Sequence, residues 1–176
     1  MFFFFPDNTV LNNFAAVDKL DLLEELLRGR GRWVDAIAYE ASRSAAFHPK
    51  LASIADDGWL GDPIVITDEG EQYIVERTRR SAFGGDEREP LKHLGEAQTC
   101  HVLQHWEEFN GSYWITDDGA AAEYARDRSI TTRETMDLIS EAIADGAVTR
   151  EEGFRILQAM RLAGRNLRIP KRASEL

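Results

Sequence analysis

Phe2 to Phe5 form an unbroken apolar run that stops at Pro6-Asp7. A run this short, made of strong β-formers and bounded by a turn signal, reads as a strand buried on both faces. That limits the rest of the chain, because such a strand needs cover on both sides, and helices supply it in an α/β fold. A second stretch, Ser112 to Thr116, has the same character and closes on Asp117-Asp118. In open α/β sheets, sites form outside the carboxyl ends of the strands. Asp7 and Asp118 are therefore the first residues to consider for chemistry.

Between and after these runs the pattern alternates. Leu11 to Phe14 and Leu20 to Leu27 read as helical turns, and Gly29 and Gly31 stop the second. A short extended piece surrounds Trp33. Val34, Ile37, Ala38, Ala41 and Ala45 then repeat at helical spacing up to Pro49. His48 to Ala55 reads as a short helix, Ile64 to Ile66 as a short strand, and Asp68 to Ala82 as a helix. The segment from Gly84 to Pro90 reads as a charged, mobile loop. Leu94 to Trp106 and Ala120 to Asp127 are predicted helices, with a last core strand at Ile130-Thr131. Two more helices follow, over 132–144 and 149–163, the second opened by a Thr149/Glu152 capping box. Leu167 to Ile169 is a candidate edge strand. The predicted architecture is α/β, a three-layer sandwich with a central, mostly parallel sheet. One domain is expected over 1–170, with 171–176 as a tail without fixed structure.

Composition narrows the function. A chain of 176 residues with 43% hydrophobic content supports one sizeable core. No apolar run is long enough to cross a bilayer, and the phenylalanine run has neither a basic leader nor a cleavage pattern. The one cysteine, Cys100, excludes an internal disulfide and a cysteine-based zinc cluster. A reducing, cytoplasmic setting follows, with no membrane role. The net charge of −10 argues against nonspecific nucleic-acid binding. It is compatible with a nuclease whose acids surround a cation, and with a basic protein partner.

Two further acids, Glu40 and Glu96, lie in predicted helices between Asp7 and Asp118. Four carboxylates at one sheet edge would make a cage for a hard divalent cation, Mg²⁺ or Mn²⁺, which prefers oxygen ligands and keeps several waters. Thr9, two residues past Asp7, is near enough to bond a carboxylate or a bound water. Each acid also has a plainer reading. Asp7 and Asp117-Asp118 are positioned as helix N-caps, Glu40 can pair with Arg43, and Glu96 can complement a helix dipole.

Four short motifs in order resemble a known family. Phe5-Pro6-Asp7-Asn8-Thr9 is similar to the opening strand and D-x-[ST] element of PIN domains. Ala36 to Glu40 is similar to their second acidic position. His93-Leu94-Gly95-Glu96 resembles the glycine–glutamate motif of the toxin-like (VapC-type) subgroup, and Ile115-Thr116-Asp117-Asp118 its T-x-D element. A threonine after the last core strand, Thr131 or Thr132, also fits. Two positions depart from the pattern. Gln98 stands where a further acid often occurs, and Lys92 or His93 stands where an aspartate often precedes the pair.

The resemblance implies a metal-dependent endoribonuclease, the toxin of a toxin–antitoxin pair, with RNA as substrate. It implies Asp7, Glu40, Glu96 and Asp118 as catalytic metal ligands for one or two ions, and Thr9 and Asp117 in support; Asp117 is the alternate ligand. Hydrolysis of the phosphodiester would use a metal-activated water. A cognate antitoxin and a homodimer are the implied partners. The alternative is a catalytically inert PIN-like interaction module. A haloacid-dehalogenase-like phosphatase would need an aspartate where Thr9 stands. His101 and His105, four apart, lack the context of a metalloprotease helix. Arg77, Arg79 and Arg80 are possible phosphate contacts. Trp33, Trp59, Trp106 and Trp114 read as core.

Overall fold

Three parallel strands, β1 (Phe4–Pro6), β2 (Tyr113–Ile115) and β3 (Thr131–Arg133), form one sheet in the order β1-β2-β3. The computed structural model describes residues 1–176. Phe5 is in register with Trp114 and Trp114 with Thr132, so the aromatic residues of the first two strands share rungs. Phe4 stacks on Tyr113 with ring centroids 5.5 Å apart, and Phe5 meets Phe109 edge-on at 5.1 Å. Full burial of a side chain of this size contributes about 1.5–3 kcal/mol, and Phe4, Phe5 and Trp114 are all buried.

Nine α-helices surround the strands: α1 (Asn8–Ala16), α2 (Leu20–Leu27), α3 (Asp35–Ser44), α4 (Ile54–Asp57), α5 (Glu69–Phe83), α6 (Leu94–His105), α7 (Gly119–Arg126), α8 (Thr135–Ala144) and α9 (Arg150–Leu162). The chain is thus α/β. Leu20, Leu22, Leu23, Leu26 and Leu27 of α2 are all buried. α2 packs on α8, α8 on α9, α1 on α3, α3 on α6, and α5 on α6. One apolar cluster runs from Phe4 to Leu167, and it includes Trp33 and Trp114, with Trp59 and Trp106 packed against it. The capping box of α9 is present: Glu152 N–H donates to Thr149 Oγ1 at 3.2 Å, and Thr149 N–H donates to Glu152 Oε2 at 2.8 Å.

Several sequence expectations need correction. Ile64 to Ile66 is not a strand, and only Val34 and Ile64 form an isolated bridge. Pro63 has no N–H to extend the ladder, and Asp68 already caps α5 by accepting from Glu71 N–H at 2.9 Å. Leu167 to Ile169 adds no strand either; Leu167 is buried in the core while Arg168 pairs with Glu134. α8 begins at Thr135 rather than Thr132, because Thr131 to Arg133 extend the sheet. The last six residues, expected without fixed structure, contain a 3-10 turn at Ala173–Glu175, and Leu176 rests against the core. No helix is long and apolar enough to cross a membrane.

The parallel pairing brings two chain reversals together. Asp7 N–H donates to Ile115 C=O at 2.9 Å, and Thr116 N–H donates to Arg133 C=O at 2.9 Å. Asp7 and Thr116 are therefore the residues that leave adjacent strands at the carboxyl edge.

Candidate active site

Asp7 occupies the N-cap position of α1, yet its side chain makes no capping hydrogen bond. It turns across the sheet edge, where Thr116 Oγ1 donates to Asp7 Oδ2 at 3.2 Å. Capping of α1 is therefore not the whole role of this residue. Asp7 is only 5% exposed. Burial, with the nearby charge of Glu96, pushes its carboxyl up to about 7, although the Thr116 hydroxyl and the backbone at Asn8 and Thr9 oppose the rise.

Glu40 reaches the same place from α3. Its carboxyl is pushed up to about 8, first by burial and then by the charges of Glu96 and Asp7, with the Asn8 amide opposing. Glu96 comes from the first turn of α6. Gly95 makes this approach possible. A Cβ at Gly95 would overlap Ile37 Cδ1 and would lie 3.4 Å from Glu40 Oε1. α6 can therefore rest directly on α3, and the glutamate next to Gly95 faces the glutamate of α3.

Three of the four predicted acids thus act on one another electrostatically. None forms an ion pair with lysine or arginine. Among the three, Glu96 alone contacts a basic side chain within 4 Å: His93 Nδ1 lies 3.0 Å from Glu96 Oε1. His93 adopts a left-handed backbone with φ of 61°, a conformation uncommon for a residue with a side chain. Glu40 is not paired with Arg43, although both line the same open cleft.

Asp118 stands apart from the trio. It is exposed, and its Oδ1 accepts Ala121 N–H at 2.8 Å as the N-cap of α7. Its link to Asp7 runs through Thr116, whose oxygen accepts Asp118 N–H at 3.1 Å. One oxygen of Asp118 is engaged in capping and Oδ2 remains available. Asp117 is more fully committed. Its Oδ1 accepts Thr135 N–H at 2.9 Å, and its Oδ2 accepts the Asn13 amide at 2.7 Å together with the Thr135 hydroxyl. Burial raises its pKa, against these donors. Asn13 in turn accepts from Arg165 Nε at 2.9 Å. Asp117 therefore ties α1, α8 and the segment after α9 behind the site.

The threonine that meets Asp117 is Thr135, not Thr131 or Thr132, which lie within β3. Thr9 sits in the first turn of α1, and the hydroxyl bonded to Asp7 belongs instead to Thr116. Sequence reasoning placed Thr116 in a motif without giving it this role, and it did not single out Asn13, Thr135 or Arg165. Gln98, the departure from the acidic pattern, is buried and accepts Ala36 N–H at 3.2 Å, so it holds the start of α3 to α6.

No protein-family model, no curated protein and no solved structure matches the chain. What the site can do therefore rests on its own geometry. Its donor set is carboxylate oxygen throughout, which fits a hard divalent cation. No three of its His, Cys, Asp and Glu side chains stand grouped as a ready-made cage. Mg²⁺ does not require one, because it is usually held by one or two carboxylates, several waters and substrate phosphate.

The other candidates settle differently. Arg79 is buried and Arg80 pairs with Glu76 and Glu87, which leaves Arg77 as the free member of the three. His101 is buried beside His105 and lies 3.2 Å from Glu71, whose Oε1 accepts Trp106 Nε1–H at 3.0 Å. Burial pushes the Cys100 thiol up to about 12, so it is no nucleophile near neutral pH.

Proposed function

We propose that the chain is a Mg²⁺- or Mn²⁺-dependent endoribonuclease of the PIN type, with the three-layer sandwich of that family. The observation that carries the reading is the mutual action of Asp7, Glu40 and Glu96. Burial, and then neighbouring carboxylate charge, raises the proton affinity of Asp7 and Glu40, and neither is ion-paired to a lysine or arginine, a cost that a structural role would not require. Strongly perturbed groups of this kind concentrate at functional sites.

Asp7 and Glu40 would hold the cation, with Glu96 beside them and Asp118 Oδ2 completing the set through water. A bound divalent cation lowers the pKa of a bound water and offsets charge developing on a phosphodiester. The chain's own residues supply the rest. With pKa values of about 7 and 8 before any cation binds, the Asp7 and Glu40 carboxyls would give up their protons to a cation close to neutral pH. Thr116 Oγ1 fixes the orientation of Asp7 and favours its charged form. Asp117, fully hydrogen-bonded, keeps the β2 end in place.

The four family-like motifs further support a toxin silenced by a cognate antitoxin, acting on cytoplasmic RNA as a homodimer. Purified protein should cleave RNA with Mg²⁺ or Mn²⁺ and stop with EDTA. Asp7→Asn should abolish cleavage by about 10²-fold or more without loss of fold. Metal-dependent cutting by that variant would overturn the assignment.

The second reading, an inert PIN-like interaction module, is favoured by the lack of a ready-made group of three ligands. A chain that folds, binds a protein partner and neither binds Mn²⁺ nor cuts RNA would establish it.

A further inference from the structure

Arg79 is 1% exposed, and its guanidinium is divided between Glu76 of α5 and the loop that follows that helix. Nε and Nη2 donate to the two oxygens of Glu76 at 2.6 and 2.8 Å. Nη1 donates to the carbonyls of Glu89 and Lys92 at 3.2 and 3.1 Å, and both Nη atoms point at the Asp86 carbonyl. Gly85 completes the clamp, since a Cβ there would run into the guanidinium. The charged loop, expected to be mobile, is therefore pinned from inside at three carbonyls.

The pinned loop makes one wall of an open cleft of about 440 Å³, and α3 makes the other. This volume is in the range of small-molecule sites. Glu40 is on its α3 wall, which joins the cleft to the coupled carboxylates. Tyr39, adjacent to Glu40, is 49% exposed, and Leu91 opposite is 44% exposed. Arg43, one helical turn beyond Tyr39, and Lys92 on the loop line the same space. Lys92 meets Glu89 at 3.3 Å, with both side chains more than half exposed, a pair of little energetic weight. An open aromatic ring, a cation and a carboxylate on α3 thus face a second cation on a loop that is pinned in place. Aromatic rings stack bases with any sequence, and lysine and arginine hold phosphates.

We propose that this cleft is a nucleotide subsite beside the carboxylate centre, with Tyr39 as the stacking platform for one unpaired base and Arg43 and Lys92 as contacts to the flanking phosphates. The inference rests on the ribonuclease reading and extends it to the residues that grip the substrate. It also explains how a chain of net charge −10 could hold RNA. Two cations at the site act locally where the overall field is repulsive.

The test measures binding of a fluorescein-labelled single-stranded RNA hexamer by anisotropy. It is run in the Asp7→Asn background with Mg²⁺ present, so that cutting does not intervene. Adding Tyr39→Ala should weaken binding about 5- to 100-fold, and Tyr39→Phe should restore it. Arg43→Gln and Lys92→Gln should each lower the slope of log affinity against log salt by about 0.7–1. Tyr73→Ala, on an exposed tyrosine of α5 outside the cleft, should leave binding unchanged. If the wild type cuts RNA while Tyr39→Ala and the two glutamine variants bind like the parent, the subsite is overturned and the nuclease reading stands. If the wild type does not cut but hexamer binding depends on Tyr39, the subsite stands and the reaction is wrong. A parent that binds no RNA overturns the subsite, and a wild type that also fails to cut overturns both.

Discussion

Thr116 Oγ1 donates to Asp7 Oδ2 at 3.2 Å and at the same time accepts Asp118 N–H at 3.1 Å. One hydroxyl thus joins the ends of two neighbouring strands and favours the charged form of the buried acid, against burial. Hydrogen bonds to a charged group are worth roughly 1.5–3 kcal/mol, and this one favours ionised Asp7. Thr116→Val should raise the Asp7 pKa further. The pH profile of RNA cleavage should move up by about one pH unit or more, with activity at neutral pH lost and recovered on the alkaline side. A profile that keeps its midpoint while the rate falls would assign Thr116 to packing alone.

Asp7 should cost the protein stability as pH rises. Its native pKa, about 7, lies above the ordinary 3.8. Below 3.8 it is protonated in both folded and unfolded chains and contributes no difference. Between 3.8 and 7 the unfolded chain gives up the proton first, so the folded state is progressively penalised, and the penalty is complete above about 7. Glu40 behaves alike between 4.5 and about 8. Asp7→Asn, which keeps an acceptor for Thr116, should therefore stabilise the metal-free protein at pH 8 by on the order of 2 kcal/mol. Near pH 4 it should change little. Thermal melts at the two pH values check the difference, which corresponds to roughly 4–8 °C for a domain of this size.

Gly95 should be intolerant of any side chain. Its missing Cβ is what lets α6 lie on Ile37 and Glu40. Gly95→Ala should destabilise by about 1–3 kcal/mol through overpacking. It should also separate Glu96 from Glu40 and relax the raised proton affinity of Glu40. Ile37→Ala, which alone opens a cavity costing about 2–5 kcal/mol, should cost less in the Gly95→Ala background than in the wild type. Chemical denaturation of the single and double variants measures the coupling, and simple additivity would contradict the close contact.

Some of this site was legible in the sequence and some was not, for physical reasons. Asp7 could be read because a buried strand must end where its apolar run ends. Gly95-Glu96 could be read as a motif, but its cause, contact with Ile37, depends on how α6 meets α3. The T-x-D resemblance favours Asp118 over Asp117 as the ligand, but both follow the same strand and the sequence does not show how each is surrounded. Only the position of Thr135 and Asn13 shows which of them is enclosed. Thr116 became informative once β1 and β2 were neighbours, because strand order is not written in either strand. Ile64 to Ile66 has β-forming residues, yet Pro63 and the Asp68 cap leave it no length to pair. Arg77, Arg79 and Arg80 share one helical turn and look equivalent. Packing of α5 against the following loop is what draws Arg79 inside and leaves Arg77 out.

Calorimetric titration with Mn²⁺ at pH 6.5, repeated in buffers of different ionisation enthalpy, tests the shared carboxylate pocket most directly. Ligands must lose their protons to bind a cation, and Asp7 and Glu40 are largely protonated at that pH. The account predicts binding coupled to release of one to two protons, roughly, with less release at pH 8.5. Binding should be severely weakened in Asp7→Asn and in Glu40→Gln. No binding at millimolar Mn²⁺, or binding that neither substitution disturbs, would contradict it.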